Sequence, residues 1–404
     1  MSPLAGLRAL LRDPVLRLVA AALICTGSVG AALAPYQSLI ALRLFGYTPR
    51  SYGVILVTAA LVAVCSAIAA GILADQFARR RAVAVALICS MTLGPALVRL
   101  HPSPITFALA HALLMPLSAG LFGQLFALAR IVTANRPPAE RERIAALIRA
   151  AFSLPFVTIL PLWSLAVEAG VPILDVYALA LIAALAAFAL ILRGWPADAS
   201  LPENRRSGLR FAEGLRELTH PAVLLRMAAL GLTGASIGLY LTLLGPILTT
   251  FGGHPSGIVA LFARLVAGME VPSMMIGASL VARWPKTRVI GLGALIHAGF
   301  MVSLAVLARA PHPLWLVIPA GLGAGLLLTV PLGYIQDLLG HRPGAGGALI
   351  AVNQFLTGAS AALAFMLGTE IAGYPGAAVC GALFALSGAA LLCLLDRGAA
   401  RALP

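Results

Sequence analysis

GILADQFARRR, residues 71–81, closes a long apolar run with one acid and three arginines. ASLVARWPKTR, residues 278–288, closes another such run 207 positions later. At that offset Leu73 falls on Leu280, Arg79 on Lys286 and Arg81 on Arg288. The same offset lays AALICTG (21–27) on AALGLTG (228–234), Pro14 on Pro221 and Pro104 on Pro311. Each match is weak alone. One offset held across four apolar runs makes them a repeat, and the chain reads as two copies of one unit.

The composition says where such a unit lives. The chain is 61% hydrophobic and 10% charged, with a mean hydropathy of +0.99. Soluble domains carry about 25% charged residues. A helix needs about 20 apolar residues to cross about 30 Å of hydrocarbon, and such stretches recur throughout. Twelve are expected, near 14–44, 51–74, 82–100, 104–129, 143–167, 172–193, 221–250, 255–282, 288–309, 313–336, 346–370 and 373–395. The first is too long for a signal peptide and lacks a convincing cleavage site, so it reads as a retained anchor.

Charge orients the spans. With the N-terminus in the cytoplasm, 22 of the 28 basic residues fall in cytoplasmic loops and tails. Only Arg43, Arg50, Arg99 and Arg309 fall outside, while Arg149 and Arg264 lie within spans. That asymmetry follows the positive-inside rule and puts both termini in the cytoplasm. The net charge of +14 is thus topology and attraction to anionic lipid, not a nucleic-acid footprint. Cys25, Cys65, Cys89, Cys380 and Cys393 all sit in spans, widely spaced and odd in number, so neither a disulfide framework nor a metal site is expected.

The expected organisation is an N-terminal half over 1–193, a cytoplasmic linker over 194–220 and a C-terminal half over 221–404. The linker's second part can form an amphipathic surface helix with Phe211, Leu215 and Leu218 on one side, or serve as a plain tether. Parallel six-helix repeats are a transporter design with the substrate site near the midplane.

The loop at 71–81 resembles the signature Gly-x-Leu-Ala-Asp-x-x-Gly-Arg-Arg-Arg of the major facilitator superfamily. Gly71, Leu73, Ala74, Asp75, Arg79, Arg80 and Arg81 match, while Gln76 and Ala78 depart from it. The resemblance covers the whole chain and implies an all-α integral membrane fold of 12 helices in two pseudo-symmetric halves. QLFALAR (124–130), AGMEVP (267–272) and YIQDLLGHRPGAGGAL (334–349) are similar to stretches of the bacterial sugar efflux transporter family. That resemblance implies export of sugars or glycosides in exchange for protons across the bacterial inner membrane.

Glu270 is the one carboxylate of fourteen placed deep inside a span. A charge at the bilayer centre costs about 2.5–3.5 kcal/mol on insertion scales, so such an acid faces a partner or a watery cavity. Gly268 would permit close helix contact there, and Pro272 frees a backbone carbonyl beside the acid. Arg149 is the expected partner in proton coupling. Arg264 is six residues from Glu270, off its helix face, and suits snorkelling.

Asn353, Thr357 and Ser360 form a polar stripe in span eleven, with Gln354 beside it. Gln124 and Gln336 add amides from spans four and ten. Amides both donate and accept, as sugar hydroxyls require, so Gln124, Asn353, Gln354 and Gln336 are substrate-binding candidates. The same groups also join membrane helices with no substrate involved.

Gating is expected from Asp75 with Arg79, Arg80 and Arg81, and from Arg130 with Asp337, which occupy equivalent positions in the two halves. Ala282 replaces the acid in the second-half loop, which predicts a weaker gate there. Tyr36, Gln37 and Tyr240 read as members of the aromatic interface belt or lining of an exit. His111 and His297 read as hydrogen-bonded between helices.

No catalytic group, metal ligand set or nucleotide-binding loop is evident, so no cofactor and no enzyme activity are expected. The expected partners are a small polar solute, the proton and the lipid bilayer, with the protein a monomer. A drug or metabolite exporter of the same fold, and a non-transporting receptor, are the alternative readings.

Overall fold

A computed structural model of the chain describes residues 8, 10–77, 79–197, 221–338 and 346–399. The expected surface helix of the linker, with Phe211, Leu215 and Leu218, lies outside these residues. So do His341 to Ala345 of the span ten to eleven loop.

Everything regular among the described residues is helical. The elements are α1 (Pro14–Leu33), α2 (Pro49–Phe77), α3 (Arg80–Leu100), α4 (Pro104–Val132, interrupted), α5 (Pro138–Glu168) and α6 (Val176–Gly194). They continue as α7 (Pro221–Gly245), α8 (Gly257–Val281), α9 (Lys286–Leu307), α10 (Val317–Leu338) and α11 (Gly346–Ala399). Ten helices among the described residues are long and apolar enough to cross a membrane. The last of these covers 46 residues, but non-helical backbone at Ala372 and Gly373 divides it. Gly373 takes φ 65°, a left-handed conformation that glycine adopts without steric cost. α5 covers the expected fifth span.

Contacts divide the chain into two compact units. The described parts of Met1–Leu33, Val62–Leu162 and Val171–Leu209 form the first. The described parts of Ala34–Leu61, Trp163–Gly170 and Arg210–Pro404 form the second. Residues 34–61, although early in sequence, therefore pack within the second unit.

The first unit is centred on Leu16, Val19 and Leu23 of α1, Leu87 and Ile88 of α3, Leu125 and Leu128 of α4, and Ala187 and Ile191 of α6. α4 shows how sequence shapes a membrane helix. A π-helical turn at Ala110–Leu114 and a turn at Ser118–Ala119 interrupt it around Pro116. Such breaks strand backbone carbonyls, which lipid cannot satisfy. The Ser90 hydroxyl of α3 donates to the Leu114 carbonyl and the Ser66 hydroxyl of α2 to that of Leu117.

The second unit is centred on Met227 and Leu230 of α7, Ile290 and Ala294 of α9, Leu326 and Val330 of α10, and Ala389 and Leu392 of α11. Lipid is as apolar as leucine, so helices in it associate through close packing and interhelical hydrogen bonds. Both occur here. A Cβ at Gly234 would lie 2.5 Å from Thr357 Oγ1, and one at Gly325 would lie 2.6 Å from the Glu270 carbonyl. Ser273 Oγ donates to the Leu322 carbonyl at 2.6 Å. Thr357, expected on a polar stripe, thus spends its side chain on contact with α7.

The repeat reaches the detail of single backbone bonds. After α1 the chain forms a π-helical turn at Ile40–Leu44, and after α7 another at Pro246–Phe251. Phe45 N–H donates to Ile40 and Tyr47 N–H to Ala41. At an offset of 207, Gly252 N–H donates to Ile247 and His254 N–H to Leu248. Gly46 and Gly253, also 207 apart, take φ 68° and 77°.

Candidate functional site

Within the second unit the site starts at α8. Glu270 lies at mid-helix and is half-buried, with no ion-pair partner among the described residues of its unit. Pro272 lacks the N–H that would bond the Gly268 carbonyl. Among the described residues no close helix contact is made at Gly268, where an added Cβ would meet nothing within 4 Å. The tight contact is instead against Gly325 of α10. Arg264, on the same helix, is half-buried.

A second buried polar group of this unit is Tyr240 on α7. Tyr240 is only 6% exposed and Tyr36 is 0% exposed, so neither belongs to an interface belt, against expectation. A belt residue wets its polar end, whereas Tyr240 sits among Phe262, His297 and Phe300 with ring centroids 5.8–6.5 Å away. His297 bonds Ser236 across Nδ1 and Oγ at 3.0 Å, the interhelical role expected of it.

On α11, Asn353 is half-buried and its Oδ1 has no hydrogen-bond partner among the described residues, while Gln354 is exposed. The side chain of Gln336 lies outside the described residues. Asp337 accepts from Lys286 Nζ at 2.7 Å, and the same ammonium donates to the Gly333 carbonyl at 3.0 Å. The second-half loop therefore holds a charge pair to α10 although Ala282 replaces its acid. In this structure Asp337, expected to face Arg130, is engaged by Lys286.

A second network escaped the sequence reading. Asp396 accepts from Arg226 Nε at 3.1 Å and from the Tyr334 hydroxyl at 3.0 Å, joining α7, α10 and the end of α11. Its members stand up to 170 residues apart, so only the fold reveals it.

In the first unit, Gln124 is 4% exposed and its Nε2 donates to the Ala70 carbonyl of α2 at 3.2 Å. Its Oε1 has no partner among the described residues. Arg149 is exposed on α5 and Arg130 is exposed near the end of α4. The Asp75 side chain lies outside the described residues. Arg79 stands just before α3 and Arg80 begins it. Arg81 Nη2 donates to the Leu192 carbonyl at 2.9 Å, at the C-terminal end of α6. A cation at that end also suits the helix dipole.

His111 meets the Tyr177 hydroxyl at 2.6 Å on the π-turn of α4, as expected of a structural histidine. Asp13 caps α1 through Val15 and Leu16 N–H and pairs with Arg136 at 3.2 Å. Among the described residues no cluster of side chains could hold a metal ion.

The profile of the Major Facilitator Superfamily matches residues 18–365. The chain belongs to the major facilitator superfamily. Its members are transporters, so the chain is a multi-pass membrane transporter and not an enzyme. Sugar efflux transporter A of Dickeya chrysanthemi is 27% identical over 269 residues, which are 64% of this chain and 67% of that protein. The crystal structure of the nucleoside transporter NupG is similar with a TM-score of 0.76 at 12% identity, over 95% of this chain and 99% of its own. A peptide transporter POT mutant in complex with sulfate is similar with a TM-score of 0.70 at 15% identity, over 94% of each chain. At these identities the two structures speak for the major facilitator fold alone.

Proposed function

We propose that the protein is a secondary active exporter of sugars or glycosides across the bacterial inner membrane, driven by proton exchange through alternating access. The division of α11 at Gly373, with α5 beside the ten apolar helices, supports a reading of twelve spans, and the arginine distribution supports both termini in the cytoplasm.

The observation that carries the proton reading is Glu270, a half-buried acid at the middle of α8 with no ion-pair partner in its unit. As an anion there it costs about 2.5–3.5 kcal/mol, while moving one charge through 100 mV is worth about 2.3 kcal/mol. The two terms are comparable, so the gradient can change the protonation of such a site. Arg149 is its proposed counter-charge in another state of the cycle. The sugar reading is supported by the similarity to Sugar efflux transporter A. Asn353, Gln354, Gln124 and Gln336 are its proposed hydroxyl partners, and Asp75, Arg79, Arg80, Arg81, Arg130 and Asp337 its proposed gating charges. The transporting form is proposed to be the monomer.

Inverted vesicles loaded by a proton gradient test this. Wild type should accumulate a labelled glycoside when the lumen is acidified, and Glu270→Gln should lose at least about tenfold of that gradient-driven uptake. Full gradient-driven transport by Glu270→Gln would remove Glu270 from the coupling. Resistance to drugs without any glycoside flux would favour the drug-exporter reading, and binding without flux would favour a receptor.

A further inference from the structure

Two of the unpartnered buried polar atoms among the described residues of the second unit stand on neighbouring rings. Tyr240 Oη and His297 Nε2 have no hydrogen-bond partner among the described residues. Tyr240 is 6% exposed and His297 is 0% exposed. Most buried polar side-chain atoms are paired, so each exception calls for an explanation. Here two exceptions stand on neighbouring rings, whose centroids are 6.3 Å apart at 88°. The rings are held in place. Phe300 packs on both and Phe262 on Tyr240, while the Ser236 hydroxyl fixes the other imidazole nitrogen.

The chemistry of the two atoms selects what fits between them. A phenol hydroxyl donates or accepts, and Nε2 donates or accepts according to the tautomer, which a serine hydroxyl at Nδ1 suits either way. A carboxylate requires two donors and a cation two acceptors. A hydroxyl oxygen satisfies either tautomer. Two hydrogen bonds of about 2.8 Å let one such oxygen join polar atoms up to about 5.6 Å apart, and the two atoms belong to rings in edge-to-face contact.

We propose that Tyr240 and His297 form a hydroxyl-binding subsite between α7 and α9, in which a single oxygen, from the transported solute or from water, bridges Tyr240 Oη and His297 Nε2. This deepens the exporter reading and rests on it for the solute arm only. Tyr240 and His297 together hold that oxygen between α7 and α9.

The full-length protein in detergent gives a test that needs no transport. Removing a truly unpartnered buried hydroxyl is neutral or stabilising, whereas removing a bridged one is destabilising. Tyr240→Phe should therefore lower the melting midpoint. His297→Asn keeps an amide where Nδ1 meets Ser236 but loses the Nε2 position, and should lower the midpoint similarly. The double variant should fall no further than the lower single, because both delete the same bridge. His297→Gln, which reaches the Nε2 position, should recover part of the loss. A midpoint for Tyr240→Phe equal to or above wild type, or additive losses in the double variant, would overturn the proposal.

Equilibrium binding of radiolabelled lactose to the same proteins separates the two sources of oxygen. About tenfold weaker binding in Tyr240→Phe and His297→Asn assigns the oxygen to the solute. Unchanged binding with about tenfold slower proton-driven flux, and unchanged solute exchange, assigns it to water. Binding and flux both at wild-type level would overturn the proposal whatever the melting data show. A wild-type protein that does not carry lactose would refute the sugar reading and leave the melting test standing.

Discussion

At Glu270 the relevant contest is between the cost of a buried charge and the work available from the membrane potential, and the two are of similar size. The charge pair at the end of α10 is a different case. Asp337 is 63% exposed in its side chain, so its bond to Lys286 belongs with surface pairs worth about 0–1 kcal/mol. Lys286→Ala should thus leave the thermal midpoint within a degree or two of wild type. If the pair belongs to a gate, the same change should alter the transport rate several-fold, measured as exchange in proteoliposomes. A large fall in stability with an unchanged rate would make Lys286 structural. The sequence aligned Lys286 with Arg79 and marked Asp337 as a gating acid, but could not join them. They stand 51 residues apart, and only the approach of α9 to α10 brings them together.

Element packing turns on which glycines are crowded. A Cβ at Gly325 would lie 2.5 Å from Ser273 Cβ and 2.6 Å from the Glu270 carbonyl, so backbone must move to admit it. Gly325→Leu should cost about 1–3 kcal/mol or more through overpacking and sharply reduce folded yield. Gly268→Ala, with nothing within 4 Å, should be neutral or stabilising by up to about 1 kcal/mol of helix propensity. Thermal unfolding of both variants checks the contrast, and equal losses would mean that α8 and α10 do not pack as described. The sequence had favoured Gly268, because it adjoins the acid. Proximity in sequence told nothing about which helix face meets a neighbour. What was legible at this scale was whatever recurs: the spans, their prolines and the 207-residue offset, which the paired turns at Gly46 and Gly253 carry to single hydrogen bonds. Tyr240 was misplaced because its sequence position suits an interface, while its burial depends on α8 and α9 closing over it.

For the molecule as a whole, the informative fact is where residues 34–61 go. They pack in the second unit, with Tyr52 edge-on to Phe365, Met366 against Gly53, and Leu39 against Gly245. Arg43 Nε donates to Thr250 Oγ1 at 2.9 Å, and these residues are themselves 207 apart. Contact between equivalent positions of a repeat is what a two-fold arrangement produces on its axis. In the proposed orientation this contact lies at the outer ends of α1 and α7, where it can serve as an outer gate. Alternating access then requires it to break in each cycle. With Cys25, Cys65, Cys89, Cys380 and Cys393 replaced by serine, a protein carrying Arg43→Cys and Thr250→Cys can be joined by a short bifunctional thiol reagent. The joined protein should lose at least about tenfold of its transport while still binding solute, because the ordering of this contact is then permanent. Cleaving the cross-link should restore transport, and either single cysteine treated alike should leave it intact. Undiminished flux through the joined protein would show that the ends of α1 and α7 stay together throughout the cycle, and the outer pathway would have to open elsewhere.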